Sequence, residues 1–78
     1  MKTSECIRAR AQVVLEQVYL RRWTAKERYY SYGDKAGADY HLDAADRLLR
    51  AYEKLRMAAE DWADYETGKG PHPKEFLK

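Results

Sequence analysis

The side chains able to do chemistry in this chain are few, and their spacing decides what they can do. His41 stands between Asp39 and Asp43, the ingredients of an acid–base pair or of a metal site. Residues two apart on a helix point to different sides, however, and no second histidine lies at ligand spacing from His41. The single Cys6 falls among apolar positions with no histidine near it in sequence, which fits a small hydrophobe better than a nucleophile. One cysteine closes no intrachain disulfide, and no Cys/His cluster has zinc spacing. These residues predict no catalysis, no metal and no cofactor, and a reducing cytoplasmic setting is the default.

A different chemistry, that of recognition, is concentrated in the stretch RYYSYGDKAGADYH, Arg28 to His41, which carries four of the seven tyrosines around two glycines. Tyrosine and arginine dominate binding hot spots because a large rigid ring with a polar tip buries area at low entropic cost. The stretch therefore predicts a partner-binding surface made of Arg28, Tyr29, Tyr30, Tyr32, Tyr40 and His41. The competing reading is an aromatic plug that closes the end of a helix bundle, and His41 also fits a helix-packing seam. Basic residues on the same half of the chain, Arg10, Arg21, Arg22, Lys26 and Arg28, give nucleic-acid binding as the alternative function, with the tyrosines stacking on unpaired bases. The chain has no helix-turn-helix spacing, zinc motif or arginine-rich run to support that alternative.

The elements that must carry these residues are helical. From Ser4 to Tyr32 there is no glycine or proline, Thr3 or Ser4 is a candidate cap, and Glu5 suits the dipole of a helix start, so a first helix is predicted over about residues 4–31. Ile7, Ala11, Val14, Val18 and Ala25, with Leu15 at the edge, form one apolar face. Cys6, Ala9, Val13, Leu20 and Trp23 form a second face nearly opposite. A second helix over about residues 38–67 carries a seam of His41, Ala45, Leu48, Tyr52, Leu55, Ala59 and Trp62 at alternating spacings of four and three. Asp34 or Asp39 can cap it and Gly68 can end it. The fold class is thus all-α: an antiparallel two-helix hairpin over residues 1–68, turning near Asp34 to Gly37, followed by an extended or flexible tail over residues 69–78 in which Phe76 and Leu77 could dock.

Charge supports this pairing. Met1 to Tyr32 holds seven basic residues against three acidic, whereas Gly33 to Glu66 holds five against nine, within a chain of net charge +2. The halves have opposite signs, which predicts cross-helix pairs of Arg8 and Arg10 with Glu60, Asp61 and Asp64, and of Lys26 and Arg28 with Asp43 and Asp46. Along the second helix, Asp43 with Arg47 and Asp46 with Arg50 have the spacing for local pairs.

A chain of 78 residues buries too little to be robust alone. The unpartnered second face of the first helix then predicts a homodimer, a four-helix bundle with Cys6, Ala9, Val13, Leu20 and Trp23 at the interface. No window approaches the roughly 20 apolar residues of a membrane span, and charge near the start argues against a secretory signal. The functional expectation is a small cytoplasmic interaction module that binds and modulates another protein of unknown identity. Inhibitors, anti-activators and adaptors, including those of phages and mobile elements, are the genre.

Overall fold

The structure, a computed structural model, describes residues 2–73, and within them the chain is two long helices joined by a two-residue turn. Helix α1 runs Thr3–Tyr32 and helix α2 Lys35–Glu66, lying antiparallel as a rod 53 Å long. No strand occurs among the described residues, so the all-α hairpin holds.

Each turn signal acts locally, though one acts elsewhere than expected. Gly33 adopts the left-handed conformation (φ 63°) that ends α1, its N–H donating to the Tyr29 carbonyl. Asp34 then caps α2: its carboxylate accepts from the Gly37 N–H at 2.9 Å, and its carbonyl accepts the Ala38 N–H. Gly37 is therefore inside the first turn of α2 and takes no part in the reversal, which narrows the turn to Gly33 and Asp34. Gly68 (φ 77°) ends the second helix as expected.

The core is a narrow seam. Ile7, Ala11, Val18 and Ala25 of α1 are buried against Ala38, Ala45, Ala59 and Trp62 of α2, with Val14, Leu48, Tyr52 and Leu55 half-buried between them. These positions repeat at spacings of three and four on both helices, the pattern of a coiled-coil seam. Five of the eight buried apolar residues are alanine, so the helices can approach closely but each layer buries little area. The largest packed group lies far from the turn, where Ile7 meets Ala59 and Trp62, flanked by Leu55 and Ala58.

Three polar residues, Ser4, Glu66 and Arg21, complete the seam where sequence reading placed none. Ser4 is buried, and its N–H and hydroxyl both donate to the Glu66 carboxylate, at 3.0 and 3.3 Å. Neither Thr3 nor Ser4 is the N-terminal cap, since Thr3 is already helical and Lys2 precedes it. Arg21 crosses from α1, its Nη1 donating to Nδ1 of His41 at 2.9 Å. Arginine has no acceptor, so the ring nitrogen facing it accepts.

The expected cross-helix ion pairs do not form. The ion pairs among the described residues lie within α2: Asp43 with Arg47, and Arg56 with both Glu53 and Glu60. Asp46 with Arg50 is not among them. The alanine-lined seam leaves Arg8, Arg10, Lys26 and the α2 acids on exposed outer sides, where water and neighbours three or four positions along the same helix are closer partners. Arg56 is held more firmly protonated than an ordinary arginine, first by its hydrogen bond to Glu53 and then by the charges of Glu53 and Glu60.

Beyond Gly68 the chain folds back on α2. His72 lies edge-on to both Trp62 and Tyr65, with ring centroids 5.0 and 4.8 Å apart, and Trp62 and Tyr65 meet each other at 5.8 Å. This part of the tail thus packs on the hairpin, a contact the proline- and glycine-rich sequence did not announce. Phe76 and Leu77, the tail residues expected to dock, lie outside the described residues.

Candidate interaction surfaces

Two surfaces stand out, and the first is the tip of the hairpin. Tyr29, Tyr30 and Tyr32 occupy the last turn of α1, where successive residues are about 100° apart, so the rings fan over an arc of about 160° instead of sharing one face. Tyr40 stands on the first turns of α2. All four are exposed: Tyr30 by 77%, Tyr32 and Tyr40 by 67% each, and Tyr29 by 51%. Among the described residues they form three separate ring contacts. Tyr29 meets Tyr30 edge-to-face at 5.1 Å, the Arg28 guanidinium lies over Tyr32 at 5.5 Å, and Tyr40 meets His41 at 5.3 Å. These contacts hold the rings in place without burying them, and a plug is a different arrangement from this collar.

His41 belongs to the seam and touches the collar only through Tyr40. Beside the collar, Thr24, Glu27, Arg28 and Tyr32 line a shallow open cleft of about 140 Å³. A cleft of that size takes one side chain and falls well short of the volume of a small-molecule site.

The second surface is the outer face of α1. Cys6, Ala9 and Val13 are exposed, as are Leu20 and Trp23, each by 64%, and Lys26 caps the Trp23 ring at 5.9 Å. The stripe continues at the same spacing through Tyr30, with Glu16 and Glu27 as its polar members. By contrast the outer side of α2 carries Asp39, Asp46, Glu53, Glu60 and Asp61, with Leu42 and Met57 as the large exposed apolar residues near them. The asymmetry has a physical reading, since α1 has one apolar face satisfied by α2 and another with no partner among the described residues.

The basic residues considered for nucleic acid fall in two rows on α1, Arg10, Arg21 and Arg28 along one side and Arg22 and Lys26 along another. Arg21 is engaged in the seam, Arg28 and Lys26 lie over aromatic rings, and Arg10 and Arg22 are exposed. No group of three or more His, Cys, Asp or Glu among the described residues is arranged to hold a metal, and no described helix is long and apolar enough to cross a membrane. Asp39 and Asp43 do not converge on His41: Asp43 pairs with Arg47, and the His41 nitrogen is taken by Arg21.

Sequence reading missed Ser4, Glu66 and Arg21, because polar types were left out of the apolar pattern. Their spacing was the available signal: Ser4, Ile7, Ala11, Val14, Val18, Arg21 and Ala25 alternate three and four without a break. Comparison with known protein families, with characterised proteins and with solved structures finds no match for this chain.

Proposed function

We propose that this hairpin is a non-catalytic interaction module that captures and modulates another protein through its tyrosine collar, and that it works as a homodimer held by the outer face of α1. The exposure of the collar rings carries the reading. Tyrosines retained for packing would be turned inward, whereas these stand in solvent, braced by one another and by Arg28. Rigid, pre-positioned rings lose little entropy on binding, which suits a protein surface.

Self-association is supported by the unpartnered stripe on α1, since a small alanine-rich seam leaves a short chain only marginally stable. Leu20→Glu changes an exposed residue, so it removes the dimer without touching the α1·α2 seam and leaves a less stable single hairpin. Light scattering of wild type and variant at micromolar concentration, with circular dichroism to follow folding, checks this. A wild type that is monomeric there would remove self-association from the account.

The partner class is tested by offering the protein random single- and double-stranded DNA and RNA in gel shifts across a salt series, alongside affinity capture from the native host's lysate. Nucleic-acid retention that weakens steeply with salt would favour the basic residues of α1 as the binding site. Saturable capture of a protein, with no such shift, is the expected result.

A further inference from the structure

The proposed self-association leaves open how two hairpins meet, and the side-chain sizes along α1 decide it. The outer stripe runs Cys6, Ala9, Val13, Glu16, Leu20, Trp23, Glu27 and Tyr30, at spacings of three and four throughout. That is the spacing of a seam that receives another helix. Its bulk is graded: the small residues Cys6, Ala9 and Val13 fill the N-terminal half, and Leu20, Trp23 and Tyr30 the C-terminal half. All are exposed in the single chain.

We infer that the occupant of this stripe is the same stripe of a second copy, running antiparallel. In that register Tyr30 lies opposite Cys6 of the second copy, Trp23 opposite Val13, and Glu27 opposite Ala9 and beside Arg10. The two-fold axis repeats each contact. Large residues meet small ones toward both ends of the stripe, and two exposed charges on each chain, Arg10 and Glu27, find opposite partners. A parallel arrangement would stack Trp23 on Trp23 and Tyr30 on Tyr30, leave a gap at the alanines, and oppose like charges. Glu16, opposite Leu20, is a polar member of the kind that specifies register at some cost in stability.

The outer stripe is nearly opposite the α1·α2 seam, so the four helices lie in a row, with the two copies of α1 inside. The two tyrosine collars then sit at opposite ends of the assembly. A dimer of this form holds two partner molecules apart and bridges them, which an arrangement with both tips at one end would not do.

This inference rests on the proposed self-association, and one set of chains separates the two. Tyr30→Cys adds a thiol to a chain whose other thiol is Cys6. Within one helix the two positions are about 36 Å apart and cannot be bridged. Mild oxidation with diamide, followed by peptide mapping, is expected to give Cys6 linked to the new cysteine at position 30 in covalent dimers, with little Cys6–Cys6 linkage in wild type. Arg10→Glu is expected to weaken dimerisation about tenfold, and Arg10→Glu with Glu27→Arg to restore it, because these residues lie about 25 Å apart within one helix and can interact only between chains. A dimer that cross-links Cys6 to Cys6, or one that the double reversal does not restore, overturns the antiparallel arrangement and leaves self-association standing. A monomeric wild type overturns both.

Discussion

Glu66, the last residue of α2, caps α1 at its start: one carboxylate oxygen accepts the Ser4 N–H at 3.0 Å and the other the Ser4 hydroxyl at 3.3 Å. The first turn of a helix has amide groups with no partner inside the helix, and the last turn of α2 here supplies an acceptor for one of them. The contact also disposes of an apparent fault, because an acid at the end of α2 opposes that helix's own dipole but lies against the positive end of α1. Residues 62 positions apart are thereby held together, so the contact reports the antiparallel register.

Glu66→Ala removes both bonds and leaves the buried Ser4 without its acceptor, which should cost about 1 kcal/mol and lower the melting temperature by roughly 4–8 °C. Ser4→Ala keeps the backbone bond and should cost less than half as much. Thermal melts followed by circular dichroism measure both. Equal effects, or none from Glu66→Ala, would show that the cap does not hold in solution.

Gly37 sets propensity against capping. A glycine inside a helix normally gains about 0.5–1 kcal/mol when replaced by alanine. Here an added Cβ would run into the Asp34 carboxylate that caps α2. Gly37→Ala is therefore expected to be neutral or destabilising in a melt, and the same substitution in an Asp34→Ala background, where nothing is left to displace, should stabilise. Stabilisation by Gly37→Ala alone would mean that the cap is dispensable.

The Arg21–His41 pair is a polar rung within the seam, apart from the Ser4–Glu66 pair at its end. Removing one member strands the other, whereas replacing both by apolar residues of similar shape is close to neutral. His41→Leu alone should cost about 1 kcal/mol, and Arg21→Met with His41→Leu should return to wild-type stability or above in urea unfolding. An additive double variant would show that the two residues do not interact.

Much of this architecture is legible in the sequence, and the residues that were not share a cause. The seam from Ala45 to Trp62 and the faces of Ile7, Ala11 and Val18 follow from apolar spacing, and Gly33 and Gly68 stop the helices where a left-handed residue is needed. Ser4, Arg21 and Glu66 occupy seam positions as polar residues that pair across the helices, which hydrophobic patterning does not register. Gly37 read as part of the turn because glycine usually breaks helices, yet the Asp34 cap outweighs that tendency. The cross-helix ion pairs failed for a geometric reason: Asp43, Asp46, Asp61 and Asp64 stand on the side of α2 away from the seam, so opposite net charge on the two helices does not bring these side chains within reach. For the tyrosines, sequence gave the crowding at the tip, while their arrangement as a collar depends on the angular spread of Tyr29, Tyr30 and Tyr32 around the end of α1.

The central claim is that the collar binds and does not hold the fold together, and Tyr32 and Tyr40, which lie off the α1 stripe, test it most directly. Both are largely exposed, so Tyr32→Ala and Tyr40→Ala should leave helicity and melting nearly unchanged. Each should remove about 2 kcal/mol or more of binding free energy, which lowers partner capture at least tenfold at matched folded concentration. The decisive measurement is the melting temperature and the captured amount recorded together for wild type and both variants. The account predicts unchanged melting with lost capture; early melting in both variants, with the surviving folded protein still capturing its partner, would contradict it.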